Sequence, residues 1–157
     1  MTRAAQPTSD LGILVLLAYQ SFVRQLHADL TAKGFDDLGG SDGVVMRVIS
    51  TRPRTVSELA TLLEITPQGA AQIVDSMARR GYVARRPDPG DRRARLVVLS
   101  DRGRESIGAA RAFHRRFEAS LVRRHGRDRI DQFRSVLGVM AEGAPDVLDR
   151  ELRSLYL

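Results

Sequence analysis

"TVSELATLLEITPQGAAQIVDSMARRGYV", residues 55–83, decides the fold of this chain. Thr55 followed by Glu58 reads as a capping box: the threonine oxygen takes a free amide at the helix start while the glutamate reaches back. Leu59, Leu62 and Leu63 then form a short apolar face. The helix ends near Glu64, because Thr66 and Pro67 supply a fresh N-cap and a proline at the first helical position. A turn of about three residues therefore separates two helices, the spacing of a helix-turn-helix. The second helix places Ala70, Ile73, Val74 and Met77 on its buried side. Gln68, Gln72, Ser76 and Arg79 fall on the opposite side, and Gly81 supplies a C-terminal stop.

Downstream, "YVARR" and "ARLVVLS" read as two β segments joined through "PDPGDRR", where Pro87, Pro89 and Gly90 form a turn. Ser100 caps a helix running to about His125. Gly126 breaks it, and a further helix begins at Asp128 with Ile130, Phe133, Val136, Leu137 and Met140 on one stripe. A Gly143–Pro145 break precedes a last amphipathic piece, "DVLDRELRSLYL". Upstream, residues 1–9 read as a mobile tail. Asp10 to about Lys33 reads as a long helix carrying apolar residues on more than one face, which suits a subunit interface. "FDDLGGSDG" reads as a flexible connector; Leu38 and Gly40 stand where a calcium loop needs carboxylates or amides. A short helix from Ser41 to about Thr51 presents Val44, Val45, Val48 and Ile49 before Pro53.

These pieces predict a mainly α fold with a small β-hairpin wing. The expected division is a tail (1–9), an N-terminal dimerisation helix and loop (10–40), a winged helix-turn-helix lobe (41–100) and C-terminal linker and dimerisation helices (101–157). Within the lobe the recognition helix spans about 66–80 and the wing about 82–100.

Composition narrows the function. A chain of 157 residues with 43% hydrophobic content suits one compact domain. The apolar run at 11–19 is too short to span a membrane, and Asp10 beside it with no small-residue cleavage site argues against a signal peptide. Cytoplasm is the expected compartment. The absence of cysteine excludes disulfides, thiolate nucleophiles and cysteine zinc sites. His27, His114 and His125 lack metal-ligand spacing and read as surface or packing residues. No P-loop lysine, nucleophile elbow or dinucleotide fingerprint appears, so neither an enzyme nor a cofactor is expected.

The charge is concentrated. Nine arginines (79, 80, 85, 86, 92, 93, 95, 102 and 104) against Asp88, Asp91 and Asp101 give the window 79–104 a charge of +6, equal to the +6 of the whole chain. Such a stripe is the footprint of a polyanion binder. A helix-turn-helix places one helix in the major groove, and glutamine can pair with the edge of adenine, so Gln68 and Gln72 are candidate readers. Gly69 keeps the helix thin, Thr66 suits a phosphate at the helix start, and Ser76 and Arg79 complete the outer face. Arg92 or Arg93 on the hairpin tip would enter the minor groove. Asp91 reads as a carboxylate that orients Arg93 through a charge-assisted hydrogen bond.

The run from Thr55 to Glu105 resembles the core of the MarR family of winged helix-turn-helix regulators. The resemblance is strongest at "RRGYVARRPDPGDRRARLVVLSDRGR", with its D-x-x-D-R-R wing and Ser-x-x-Gly helix start. It implies a homodimer joined through N- and C-terminal helices that binds a palindromic operator on double-stranded DNA and often represses neighbouring genes. It also implies that Arg93 enters the minor groove with Asp91 as its support. Many members bind a small phenolic or aromatic acid between the dimer helices and the lobe. Ser100 replaces the family's usual threonine, and the lack of cysteine and tryptophan argues against the oxidation-sensing and urate-responsive branches. A non-specific architectural DNA binder, and a module using its basic stripe on acidic partners, are the competing readings.

Overall fold

A computed structural model describes residues 10–91 and 93–142. The N-terminal tail, Arg92, the Gly143–Pro145 break and the final amphipathic piece lie outside them. The chain divides into two compact units at Asp36/Asp37.

The first unit contains α1 (Leu11–Thr31), whose N-cap Asp10 accepts from the Gly12 amide at 2.8 Å. Leu11, Leu14, Leu16, Leu17 and Tyr19 of this helix are exposed. Its end is a Schellman closure in which Phe35 N–H reaches the Leu30 carbonyl, with Gly34 at positive φ.

The second unit runs α2 (Asp42–Thr51), β1 (Arg54–Thr55), α3 (Val56–Leu62), α4 (Pro67–Arg79), β2 (Val83–Pro87), β3 (Arg95–Leu99), α5 (Asp101–His125) and α6 (Arg127–Met140). The predicted hairpin is the β2–β3 pair, with Arg85 opposite Val97. A strand absent from the sequence reading completes it: β1 pairs antiparallel with β3, giving the order β1-β3-β2. Two residues are too short for alternation to register, so only the pairing defines this strand.

The capping box is formed as expected. Glu58 N–H donates to Thr55 Oγ1 at 3.1 Å, and Thr55 N–H donates to the Glu58 carboxylate at 2.7 Å. The hydrogen bond from the Thr55 amide, then the Arg52 guanidinium, holds the Glu58 carboxyl below its ordinary pKa against the opposing effect of burial. α3 closes on Glu64, a non-glycine residue at φ 53°, with Ile65 N–H bonded to the Ala60 carbonyl. This is again a Schellman closure, one that the sequence could not announce because glycine is missing from the left-handed position.

The core gathers Val45, Val48 and Ile49 of α2, Leu59 of α3, Ala70, Val74 and Met77 of α4, and Val97 of β3 around Tyr82, which is fully buried. Met46 joins them, while Val44 and Ile73 are only half-buried. His114 of α5 lies 3.2 Å from the Arg47 guanidinium, and burial, then that charge, push its pKa down.

Tyr82 is also where three elements meet. Its N–H closes α4 on the Met77 carbonyl at 3.0 Å, after Gly81 at φ 79°, and its carbonyl accepts from Ser100 N–H at 3.1 Å. Ser100 caps α5 through Gly103 N–H at 3.0 Å. A Cβ at Gly103 would stand 2.1 Å from the Tyr82 carbonyl oxygen. The Ser-x-x-Gly signature is therefore a packing requirement: the first turn of α5 lies directly on the backbone that links α4 to β2.

Gly103→Ala should accordingly destabilise the fold by about 1–3 kcal/mol, the usual cost of overpacking against atoms that cannot yield. Urea denaturation checks this, and a midpoint equal to that of the unaltered protein would refute the close approach.

Candidate nucleic-acid interface

The start of α4 is built to be both exposed and fixed. Thr66 is its N-cap: the hydroxyl oxygen accepts from Gly69 N–H at 3.1 Å, and Pro67 occupies the first helical position. A hydroxyl that accepts through a lone pair still carries its own proton, so Thr66 remains able to donate outward. Thr66, Gln68, Gln72 and Arg79 are exposed, Gly69 and Ser76 half-buried. On the opposite side Ala70, Val74 and Met77 hold the helix to the core. At Gly69 an added Cβ would crowd only Thr66 Oγ1, at 3.2 Å, so its smallness serves the cap. Ser76 is less free than its position suggests, since its Oγ accepts from Arg80 at 3.2 Å.

The wing tip is shaped by two aspartates. Asp88 accepts from Gly90 N–H at 2.8 Å and Asp91 from Arg93 N–H at 2.9 Å, side-chain turns that mimic backbone ones. Ala94 N–H closes the turn on the Asp91 carbonyl. Asp91 thus meets Arg93 through the backbone amide, where the sequence reading expected the guanidinium. The Arg93 side chain is left exposed. Arg92, the other tip candidate, is outside the described residues.

The basic stripe separates into two populations. Arg80, Arg85, Arg102 and Arg104 pair with Asp42, Asp75, Asp37 and Asp101. Among the described residues Arg79, Arg86, Arg93 and Arg95 have no carboxylate partner, and all four are exposed. Half of the described stripe is therefore internal bonding, which a count of charges along the sequence cannot reveal.

Two of these four, Arg80 and Arg102, belong to a network that the sequence reading missed. Arg80 donates to the buried Asp42 carboxylate and to the Asp37 carbonyl. Asp42 also accepts from Gly39 N–H at 2.7 Å. The Tyr82 hydroxyl donates to Asp37, and Arg102 reaches both at 3.0 and 3.2 Å while lying 4.8 Å over the Tyr82 ring. The Tyr82 hydrogen bond, then Arg102, holds the Asp37 carboxyl below its ordinary value; burial, then Asp37, pushes the Tyr82 phenol up; and Asp42 raises the Arg80 guanidinium. The segment expected as a flexible connector is tied through Asp37 and Asp42 to the base of the wing. The sign that could have shown it is the pair of acids set among glycines, whose partners stand about forty residues or more away.

A second missed residue is Asp75. It lies on the outer side of α4 with Gln68, Gln72 and Arg79, and its carboxylate meets Arg85 of β2 at 2.6 Å.

No described helix is long and apolar enough to cross a membrane. A winged helix-turn-helix with a charged hairpin beside a polar, capped helix is an arrangement used to hold duplex DNA. Comparison with known proteins agrees. Residues 36–94 match the model of the MarR family. The fold is shared with YusO from Bacillus subtilis (19% identity, 91% of this chain and 100% of that one, TM-score 0.67). It is shared also with the transcriptional repressor CouR bound to a 23-mer DNA duplex (24% identity, 90% and 99%, TM-score 0.66). S. aureus MepR bound to an oligodeoxyribonucleotide is a third (16% identity, 87% and 99%, TM-score 0.62). No curated protein sequence matches.

The two populations of arginine should differ in stability. Arg80→Ala strands the buried Asp42 carboxylate and should cost about 3 kcal/mol. Arg95→Ala, at an exposed position with no carboxylate partner among the described residues, should cost under about 0.5 kcal/mol. Paired urea titrations check this; equal losses would show that the division is false.

Proposed function

We propose that this chain, whose residues 36–94 match the model of the MarR family, is a sequence-specific transcriptional regulator, a repressor that binds a palindromic operator as a homodimer. One observation carries the reading. The exposed face of α4 adjoins a wing whose arginines at 93 and 95 have no carboxylate partner among the described residues, so a phosphate-rich duplex is the natural source of their counterions. That CouR is a repressor held on DNA, and that MepR also binds DNA, supports the choice of duplex and of repression.

In this reading α4 enters the major groove. Gln68 and Gln72 pair with adenine edges, Thr66 donates to a phosphate, and Ser76 and Arg79 extend the contact along the helix. The wing reaches the adjacent minor groove, where Arg93, or Arg92 beside it, finds the strongest negative potential. Asp91 supports Arg93 by fixing the turn from which it projects. The dimer is argued from apolar surface. Leu11, Leu14 and Leu17 of α1, and Phe133, Val136 and Val139 of α6, are exposed in rows too large for a free surface. Residues 10–40 and 101–157 then supply the dimer helices and 41–100 the reading lobe, in the cytoplasm where the operator lies.

A cavity of about 510 Å³ supports the reading that a small molecule releases the DNA. Ile49, Leu99 and Ile107 line it with Arg86, Arg104 and Arg111, a lining that suits a small aromatic or phenolic acid. Such an acid would release DNA by favouring dimers whose reading helices stand at the wrong separation.

The test begins with a duplex selected by the protein from a random pool. Raising salt from 50 to 200 mM should weaken binding by about three to five orders of magnitude if roughly six to ten phosphates are neutralised. Sedimentation should give two chains per duplex. Arg93→Ala should cost roughly 1–3 kcal/mol of binding. Equal affinity for a scrambled duplex would favour the architectural reading, and an unchanged Arg93→Ala would remove the wing from the interface. Separately, benzoic or hydroxybenzoic acids at millimolar concentration should dissociate the complex, and Arg111→Ala should abolish that response.

A further inference from the structure

Asp75 is out of place on a surface that meets a polyanion. At about 100° per residue it stands within about 20° of Gln68 around α4, on the side away from Ser76, and along the helix axis it falls between Gln72 and Arg79. Its side chain is 47% exposed and that of its partner Arg85 is 37% exposed. A carboxylate there opposes every phosphate that approaches. Resting on the reading of α4 as the major-groove helix, we propose that Asp75 is a specificity-determining residue, held by Arg85 until a duplex presents an amino donor that can take Arg85's place.

The alternative, that the pair is a strut between helix and wing, is weaker on two grounds. An exposed ion pair contributes little to stability. The join between α4 and β2 is already made by the Gly81 turn, by Tyr82 N–H on the Met77 carbonyl, and by the burial of Tyr82. The pair does something a neutral surface would not. On the free protein Arg85 cancels the charge of Asp75. When phosphates draw Arg85 away, Asp75 loses its partner in front of a polyanion. Among base edges in the major groove the amino group of cytosine, a donor, suits a carboxylate. A duplex offering that amino group at the right step satisfies Asp75, and one lacking it leaves the carboxylate unpaired. Discrimination thus comes from a penalty on wrong sequences as well as a gain on the right one.

Three proteins and two duplexes test this. The unaltered protein, Asp75→Ala and Asp75→Asn are each titrated with the duplex selected by the unaltered protein and with a scrambled duplex of equal composition. Asp75→Ala should bind the scrambled duplex more tightly, because no unpaired carboxylate then faces the phosphates. The ratio of selected to scrambled affinity should fall roughly tenfold. A fresh selection with Asp75→Asn should replace cytosine by adenine at one step of each half-site, since an amide pairs with adenine's edge. A change in base identity is something a strut cannot produce. If both variants keep the affinity ratio within twofold and Asp75→Asn selects the same bases, the proposal is overturned while the regulator reading stands. Failure of the unaltered protein itself to discriminate would overturn both. Unchanged urea midpoints show that the variants remain folded.

Discussion

The structure depends on the approach of α5 to the carbonyl of Tyr82. Within a few residues of that oxygen α4 ends, the wing begins and the long helix α5 starts. Gly103 allows the contact, Ser100 supplies the hydrogen bonds on either side of it, and the buried ring of Tyr82 fills the space beneath. Any displacement of α5 is consequently felt by both α4 and the wing. This gives a physical basis for an α5-borne signal to reach α4 and the wing, because a packed junction shifts as a unit.

Charge is organised around the same junction. Arg102 lies over the Tyr82 ring and Arg80 stands 5.8 Å from it, both bonded to acids that precede the helix-turn-helix. These arginines fasten the connector to the lobe. Their neighbours Arg93 and Arg95 are exposed at the wing tip and on β3. A stripe that repels itself is tolerable because part of it is neutralised within the fold and the rest is left for a partner. Asp75 belongs to neither population: it is an acid on the outer face, and its pairing with Arg85 makes that part of the surface neutral until something competes for the guanidinium.

The legible parts of the sequence were those in which one residue type satisfies one local demand. Thr55 with Glu58, Thr66 with Pro67, Ser100, Gly81 and Gly126 mark helix ends through hydrogen bonds to residues at most a few positions away, and the helices begin and end at them. The polar face of α4 followed from periodicity alone. The illegible parts were long-range. β1 exists only through Val97 and Leu96, about forty residues on. Glu64 takes a left-handed backbone because tertiary packing outweighs its preference. Asp37, Asp42 and Asp75 looked like solvated loop or surface acids until their arginines were placed beside them.

The sequence by itself determined the helix-turn-helix, the hairpin and the family they resemble, since caps, turns and 3.6-residue spacing are local properties of a chain. Only the tertiary structure decided which arginines are fasteners and which face outward, why position 103 must be glycine, and that the Asp75 carboxylate on the outer side of α4 is paired with Arg85. The reason is distance: an ion pair or a backbone contact between segments tens of residues apart leaves no periodic trace, because its energy depends on coordinates that folding alone brings together.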